Sequence, residues 1–103
     1  MTAAVDGAWF VYMLRCGNGA LYTGITTDVA RRVHEHQAGG RRAARFTRAF
    51  APVALAYACR IGSRSLAGRV EHRIKRLAPG DKAGIVSGAF SAGRLLRFLG
   101  LAA

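Results

Sequence analysis

Five side chains in this sequence are of types and spacings that could do chemistry together. Tyr12 and Tyr22 stand in two short stretches rich in aromatic and β-branched residues, Arg32 and His36 are one helical turn apart, and Glu71 is one of five acidic residues among 103. An arginine offers a planar positive fork to a phosphate, and a histidine one turn on can donate to that anion or orient water. A tyrosine hydroxyl, with an ordinary pKa of about 10, needs nearby positive charge to act as a base near neutrality. A carboxylate such as Glu71 can hold a hydrated Mg²⁺, which keeps several waters and needs only one or two protein ligands. Such a set suits phosphodiester cleavage, which must activate water, neutralise charge on the phosphoryl oxygens and ease departure of the 3′ oxygen. Each member also has a plain structural use. The tyrosines could be strand packing, His36 a partly buried helix residue, Arg32 a solvated arginine, and Glu71 the i,i+4 ion-pair partner of Lys75.

The elements that must position these groups can be read from patterning. Residues 8–16 and 20–25 read as two strands joined through Gly17-Asn18-Gly19, a strong hairpin signal. A three-residue loop pairs Cys16 with Ala20, Leu14 with Tyr22 and Tyr12 with Gly24, leaving the two tyrosines on one face as diagonal neighbours ~7–8 Å apart. A two-residue Asn18-Gly19 turn would send them to opposite faces. Next, Thr26 or Thr27 can cap a helix with Asp28 in its first turn. That helix turns Val29 and Val33 inward and ends at Gly39-Gly40. Residues 41–48 carry four arginines and read as a basic loop or frayed turn. Residues 53–60 read as a third strand, largely buried on both faces. Ser63 or Ser65 caps a helix bearing Leu66, Val70, Ile74 and Leu77, with Pro79-Gly80 as its stop. A short helix over 81–87 and an amphipathic one over 91–99 complete the chain.

Bulk composition narrows the class. Hydrophobic residues make up 51% of the sequence and the mean hydropathy is +0.15, enough to fill one compact interior and incompatible with a disordered basic tail. No apolar run approaches the ~18–20 residues of a membrane span, and no basic stretch followed by an apolar core opens the chain. The expectation is a soluble, cytoplasmic protein without a membrane partner. Cys16 and Cys59 belong to no CxxC or Cys/His cluster and read as reduced thiols. Sixteen Lys and Arg against five Asp and Glu give a net charge of +11, so polyanions are the expected partners. Arg41, Arg42, Arg45 and Arg48 could grip phosphates while Phe46 stacks on an exposed base. No helix offers a clear groove-reading face, so no base sequence is expected to be read.

Position by position, the chain resembles the GIY-YIG nuclease domain. Phe10-Val11-Tyr12 stands at the first tripeptide and Tyr22-Thr23-Gly24 at the second. Residues 27–36, from Thr27 to His36, follow the family's helix pattern, and Val70-Glu71-His72-Arg73-Ile74-Lys75 carries its glutamate. The resemblance runs over about residues 9–78, and the short length is similar to the stand-alone bacterial members. Phe10 replaces the first motif's glycine, as small members commonly allow. The only asparagine is Asn18, so the C-terminal asparagine of some family nucleases has no counterpart.

The resemblance implies a single α/β domain, a small, mainly antiparallel three-stranded sheet flanked by helices, with a helical extension over about 81–101. It implies metal-dependent hydrolysis of DNA, with Tyr12 taking the proton from water, Tyr22 positioning, Arg32 and His36 at the phosphate, and Glu71 holding one Mg²⁺ or Mn²⁺. A branch, flap or junction is the expected substrate. Two other readings of the same residues are a non-catalytic DNA- or RNA-binding module and an accessory protein docking a partner through its C-terminal helix.

Overall fold

A computed structural model describes residues 7–102. In chain order the elements are β1 (Trp9–Arg15), β2 (Leu21–Thr26), α1 (Val29–Ala38), α2 (Arg45–Ala49), β3 (Ala54–Gly62), α3 (Arg64–Lys75), α4 (Pro79–Gly88) and α5 (Ala92–Phe98). The three strands form one antiparallel sheet in the order β2-β1-β3. Among the described residues no helix is long and apolar enough to cross a membrane.

The hairpin adopts the three-residue loop. Cys16 N–H donates to Ala20 O at 2.9 Å, Gly19 N–H to Cys16 O at 2.8 Å, and Asn18 Oδ1 accepts from Ala20 N–H at 3.1 Å. That closure sets Tyr12 opposite Gly24 and Leu14 opposite Tyr22, so both tyrosines point to one face.

The central strand separates two cores. On one face Val11 and Met13 join Tyr57, Val70, Ile74, Ile85, Leu95 and Leu99, so α3, α4 and α5 share a single interior. The C-terminal helix thus spends Leu95 and Leu99 on this chain's own core. On the other face Tyr12, Leu14, Cys16 and Val53 pack with Tyr22 and Val33, beneath α1. The strand covered on both sides is therefore β1, whereas the sequence pattern suggested β3. β3 is an edge strand on which Ala54, Leu55 and Ala58 stay exposed. Alanine reads as apolar yet has little surface to bury, which is why that run misleads.

Three boundaries also differ from the sequence reading. Asp28 itself caps α1, accepting from Arg31 N–H at 3.1 Å, while Thr26 Oγ1 accepts from Asp28 N–H at 3.1 Å and so supports the cap from outside. The segment 41–48 is not all loop, because Thr47 Oγ1 donates to Ala44 O at 2.9 Å and closes a short helix. Finally α3 ends at Lys75, and Pro79 opens α4 instead of stopping the helix before it. Proline is pre-organised for the first helical turn, where its missing N–H has no partner to lose.

Gly24 is the position where sequence meets the site. A Cβ there would lie 2.5 Å from the Tyr12 hydroxyl oxygen and 2.6 Å from Cζ of its ring. The ring of Tyr12, 1% exposed, therefore occupies the space any other residue would fill. Gly24→Ala should destabilise the protein by about 1–3 kcal/mol through overpacking, read as a lower urea midpoint. Gly40→Ala, where a Cβ meets nothing within 4 Å, should change stability by about 0.5 kcal/mol or less and leave the midpoint nearly unmoved. Equal midpoints for the two variants would show that the ring does not fill this space.

Candidate active site

The local folding of β1, β2 and α1 brings four of the five sequence-selected residues together on the α1 face of the sheet. Tyr12 is opposite Gly24 on the central strand, Tyr22 is on the edge strand, and Arg32 and His36 are successive turns of α1. The Tyr12 hydroxyl lies 2.9 Å from His36 Nε2. The His36 ring is 5.9 Å from that of Tyr12 and 5.4 Å, edge-on, from that of Tyr22. Gly39, at φ 70°, ends α1 one turn past His36.

His36 is 2% exposed, and both its ring nitrogens are engaged inside the protein. Nδ1 is 2.8 Å from Thr47 Oγ1 and 3.3 Å from Ala44 N. Ala44 N–H points at Nδ1, yet the Thr47 hydroxyl donates to Ala44 O at 2.9 Å; with that proton spent, Thr47 Oγ1 accepts from an Nδ1–H tautomer of His36, which gives up the longer Ala44 contact. That tautomer leaves Nε2 free to accept the Tyr12 proton, and it uses the three shortest hydrogen bonds of the cluster. His36 therefore reaches a substrate only through Tyr12. Thr47, 0% exposed, is a member of the site that sequence reasoning did not select. Its signal was hidden because the helix bearing it is five residues long, too short to display a period.

Arg32 is held in place from two sides. Its Nη1 donates to Glu35 Oε1 at 3.0 Å and to the Arg42 carbonyl, and Glu35 Oε2 lies 3.6 Å from Arg42 Nη1. These contacts leave guanidinium donors free for a phosphate, on a side chain 26% exposed. The Arg32 hydrogen bond, assisted by the charges of Arg32, Arg31 and Arg42, holds the Glu35 carboxyl below the usual carboxylate range against the opposing effect of burial. Glu35 tethers the basic segment to α1, and its i,i+3 spacing from Arg32 was a signal available in the sequence.

Glu71 stands on α3, across the sheet from α1, and its charge is felt by the Tyr12 hydroxyl. It pairs with Lys75 at 3.2 Å, and Lys75 Nζ lies 5.8 Å from the Tyr22 ring centroid. With a side chain 25% exposed, Glu71 is open to solvent. No group of three or more His, Cys, Asp or Glu side chains gathers among the described residues, so Glu71 belongs to no such cluster. That arrangement fits an ion that keeps most of its waters and does not fit a dehydrated, fully caged one.

Arg41, Arg42, Arg45 and Arg48 are all exposed around α2. Phe46 stacks on Tyr22 at 6.3 Å with an interplanar angle of 21°, and Phe50 lies 4.8 Å beyond. A row of aromatic rings thus runs out from Tyr22 through the segment that carries the exposed arginines.

Burial dominates the protonation states. It pushes the Tyr12 hydroxyl up to about 12, with Tyr22 and Glu71 adding to the rise and Arg32 opposing it. Burial, aided by repulsion from Arg32, pushes His36 down to about 4. At neutral pH the pair is a neutral phenol donating to a neutral imidazole. Between pH 6.5 and 4 the unfolded chain binds a proton at His36 that the native state refuses, so this group's contribution is intact above 6.5 and lost as pH falls toward 4. Stability should drop by about 2 kcal/mol from pH 7 to pH 5 through this residue. Urea unfolding at both pH values, with His36→Gln as reference, checks it. Equal pH dependence in the two proteins would overturn the buried neutral imidazole.

Comparison with known proteins agrees with this geometry. The family model described as "GIY-YIG catalytic domain" matches residues 8–79. The UPF0213 protein YhbQ of Salmonella typhimurium is 47% identical over 79 residues, which cover 77% of each chain. The UPF0213 protein DP2720 of Desulfotalea psychrophila is also 47% identical over 79 residues, covering 77% of this chain and 71% of the relative. The solution NMR structure of the UPF0213 protein BH0048 from Bacillus halodurans is 38% identical and superposes with a TM-score of 0.50, covering 77% of this chain and 82% of that one. The expected fold, a three-stranded antiparallel sheet flanked by helices, is thus the one observed here. By sequence, fold and the placement of both motif tyrosines, this chain belongs to the GIY-YIG catalytic domain family.

Proposed function

We propose that this protein is an endonuclease that hydrolyses phosphodiester bonds in DNA, acting on branched, flapped or otherwise irregular structures rather than on a base sequence. The observation that carries the reading is the Tyr12 hydroxyl at 2.9 Å from a buried imidazole, with the Arg32 guanidinium bearing on the same oxygen. Strand packing alone requires neither the buried hydrogen-bonded relay nor the cation beside it.

The chain's own residues divide the work. Arg32 binds the scissile phosphate with the donors that Glu35 and the Arg42 carbonyl leave free, and its attraction is strongest when the transition state is most anionic. Tyr12 stays protonated until the substrate is in place, because its hydroxyl is held near 12. A bound phosphate adds negative charge beside His36 and raises that imidazole's affinity for a proton. Tyr12 then passes its proton to His36 Nε2 while taking one from the attacking water. The water oxygen bonds to phosphorus, and the bond from phosphorus to the 3′ oxygen breaks, the leaving oxygen taking a proton from solvent water. Tyr22, packed on His36 and Phe46, orients the relay and the strand. Glu71 would hold one hydrated Mg²⁺ or Mn²⁺, whose charge, when bound, offsets that on the phosphoryl and leaving oxygens. The protein works in the cytoplasm on this reading, with nucleic acid as its partner.

The test is incubation with branched, flapped, single-stranded and duplex DNA and RNA in Mg²⁺ or Mn²⁺ against EDTA. Metal-dependent products are expected from the wild type. Glu71→Gln should fold and bind as well, and lose cleavage by orders of magnitude. Tyr12→Phe should fold, bind and cleave roughly 10² to 10⁴ more slowly. Binding without products on the full panel would instead favour a non-catalytic module of the same fold.

The exposed arginines around α2 give a separate expectation for binding. Log affinity for duplex DNA should fall linearly with log salt, and replacing Arg41, Arg42, Arg45 and Arg48 by Ala should flatten that slope by up to about 3.6. Affinity should weaken for all sequences alike. An unchanged slope would make this segment a solvated surface.

A further inference from the structure

Beside Tyr22 and along β2, an edge strand of the sheet, runs a groove of about 740 Å³. Leu21 of β2, Pro79 and Ala83 of α4 and Phe46 of α2 form apolar walls, drawn from three elements distant in sequence. Arg15, Lys75 and Lys82 are the charged residues of its lining, and among the described residues no carboxylate lines it. Thr23 also contributes to the wall. Its side chain is 2% exposed, and its Oγ1 is buried with no hydrogen-bond partner among the described residues.

We infer that this groove is a binding site for an unpaired nucleotide of the strand that carries the scissile phosphate, a reading that rests on the chain acting on nucleic acid. Its volume lies within the ~300–1,000 Å³ of sites that enclose one small molecule, which is far too narrow for a double helix. Flat apolar and aromatic walls offer a face on which a base can stack only if that base has left its own helix. Arg15 and Lys82, together with a Lys75 whose charge is partly offset by Glu71, match the phosphates on either side of such a base. Continuity with the reacting centre comes from Lys75 and Tyr22, since Lys75 lines the groove and pairs with Glu71 at 3.2 Å. A strand entering the groove therefore passes from the stacking walls directly to the carboxylate. Irregular structures would be selected because only they present a free nucleotide here.

The experiment measures binding in EDTA, where turnover plays no part. Fluorescence anisotropy compares an oligothymidylate of about 10 nucleotides with a blunt duplex. Two variants are used. Ala83→Trp fills the groove from an exposed position on α4, and the double variant Arg15→Ala with Lys82→Ala strips its rim. Both should keep the wild-type unfolding midpoint and duplex affinity, and both should bind the single strand roughly tenfold more weakly. The rim variant should also flatten the single-strand salt slope by about 1.4. Single-strand affinity equal to the wild type in both variants, or equal losses for single strand and duplex, would overturn the groove. If the groove variants lose single-strand binding but the wild type cleaves nothing, the groove stands and the nuclease reading falls. If the wild type cleaves and both variants bind as it does, only the groove falls.

Discussion

The buried phenol of Tyr12 against the bare Cα of Gly24 is the contact on which the arrangement of this site depends. The ring fits only because residue 24 lacks a side chain, and a Cβ there would lie 2.5 Å from the hydroxyl oxygen. Seated this way, the hydroxyl points to α1 and meets His36 at 2.9 Å. The hairpin register that sets Tyr12 opposite Gly24 is thus a requirement of the site as well as of the sheet. A shift of one residue would carry every side chain of one strand to the opposite face and separate the two tyrosines.

Burial of that pair has an electrostatic consequence. In bulk water an imidazole near a phenol would be partly charged below neutrality, and here burial and Arg32 both suppress the cation. The protein thereby keeps a single proton on the Tyr12 to His36 hydrogen bond, with the imidazole's other nitrogen committed to Thr47. The relay is neutral and lies beside Arg32 and near the exposed arginines of the α2 segment. On the proposed reading, a phosphate bound there would add negative charge to that field and change where the proton prefers to sit.

Charge and shape cooperate around this centre in an uneven way. The α1 face carries the relay and the exposed arginines, whereas Glu71 approaches from α3 on the other layer and joins it at the open edge of β2. Edge strands are normally protected from pairing. Here the edge is flanked by Phe46, Lys75 and α4, which turn it into a groove. A phosphate backbone tracking the arginines and a base lying along that edge would meet at Tyr22.

Local pattern in the sequence determined a good part of this. The hairpin and its alternative registers, the i,i+4 spacing of Arg32 and His36, a serine cap at Ser63 or Ser65 and the excess of positive charge depend on short-range geometry or on simple counting. The family resemblance then tied Tyr12, Tyr22, Arg32, His36 and Glu71 to one centre. Tertiary structure alone decided which strand lay in the middle, because an alanine-rich run such as β3 reads as apolar whether or not anything covers it. It also decided that Thr47 completes the histidine's hydrogen bonding and that Pro79 begins a helix instead of ending one. The same holds for the groove, since Arg15, Phe46, Lys75 and Lys82 are far apart in the chain and become neighbours only when two layers close over one sheet edge. Such juxtapositions arise from long-range packing, and no periodicity along the chain encodes them.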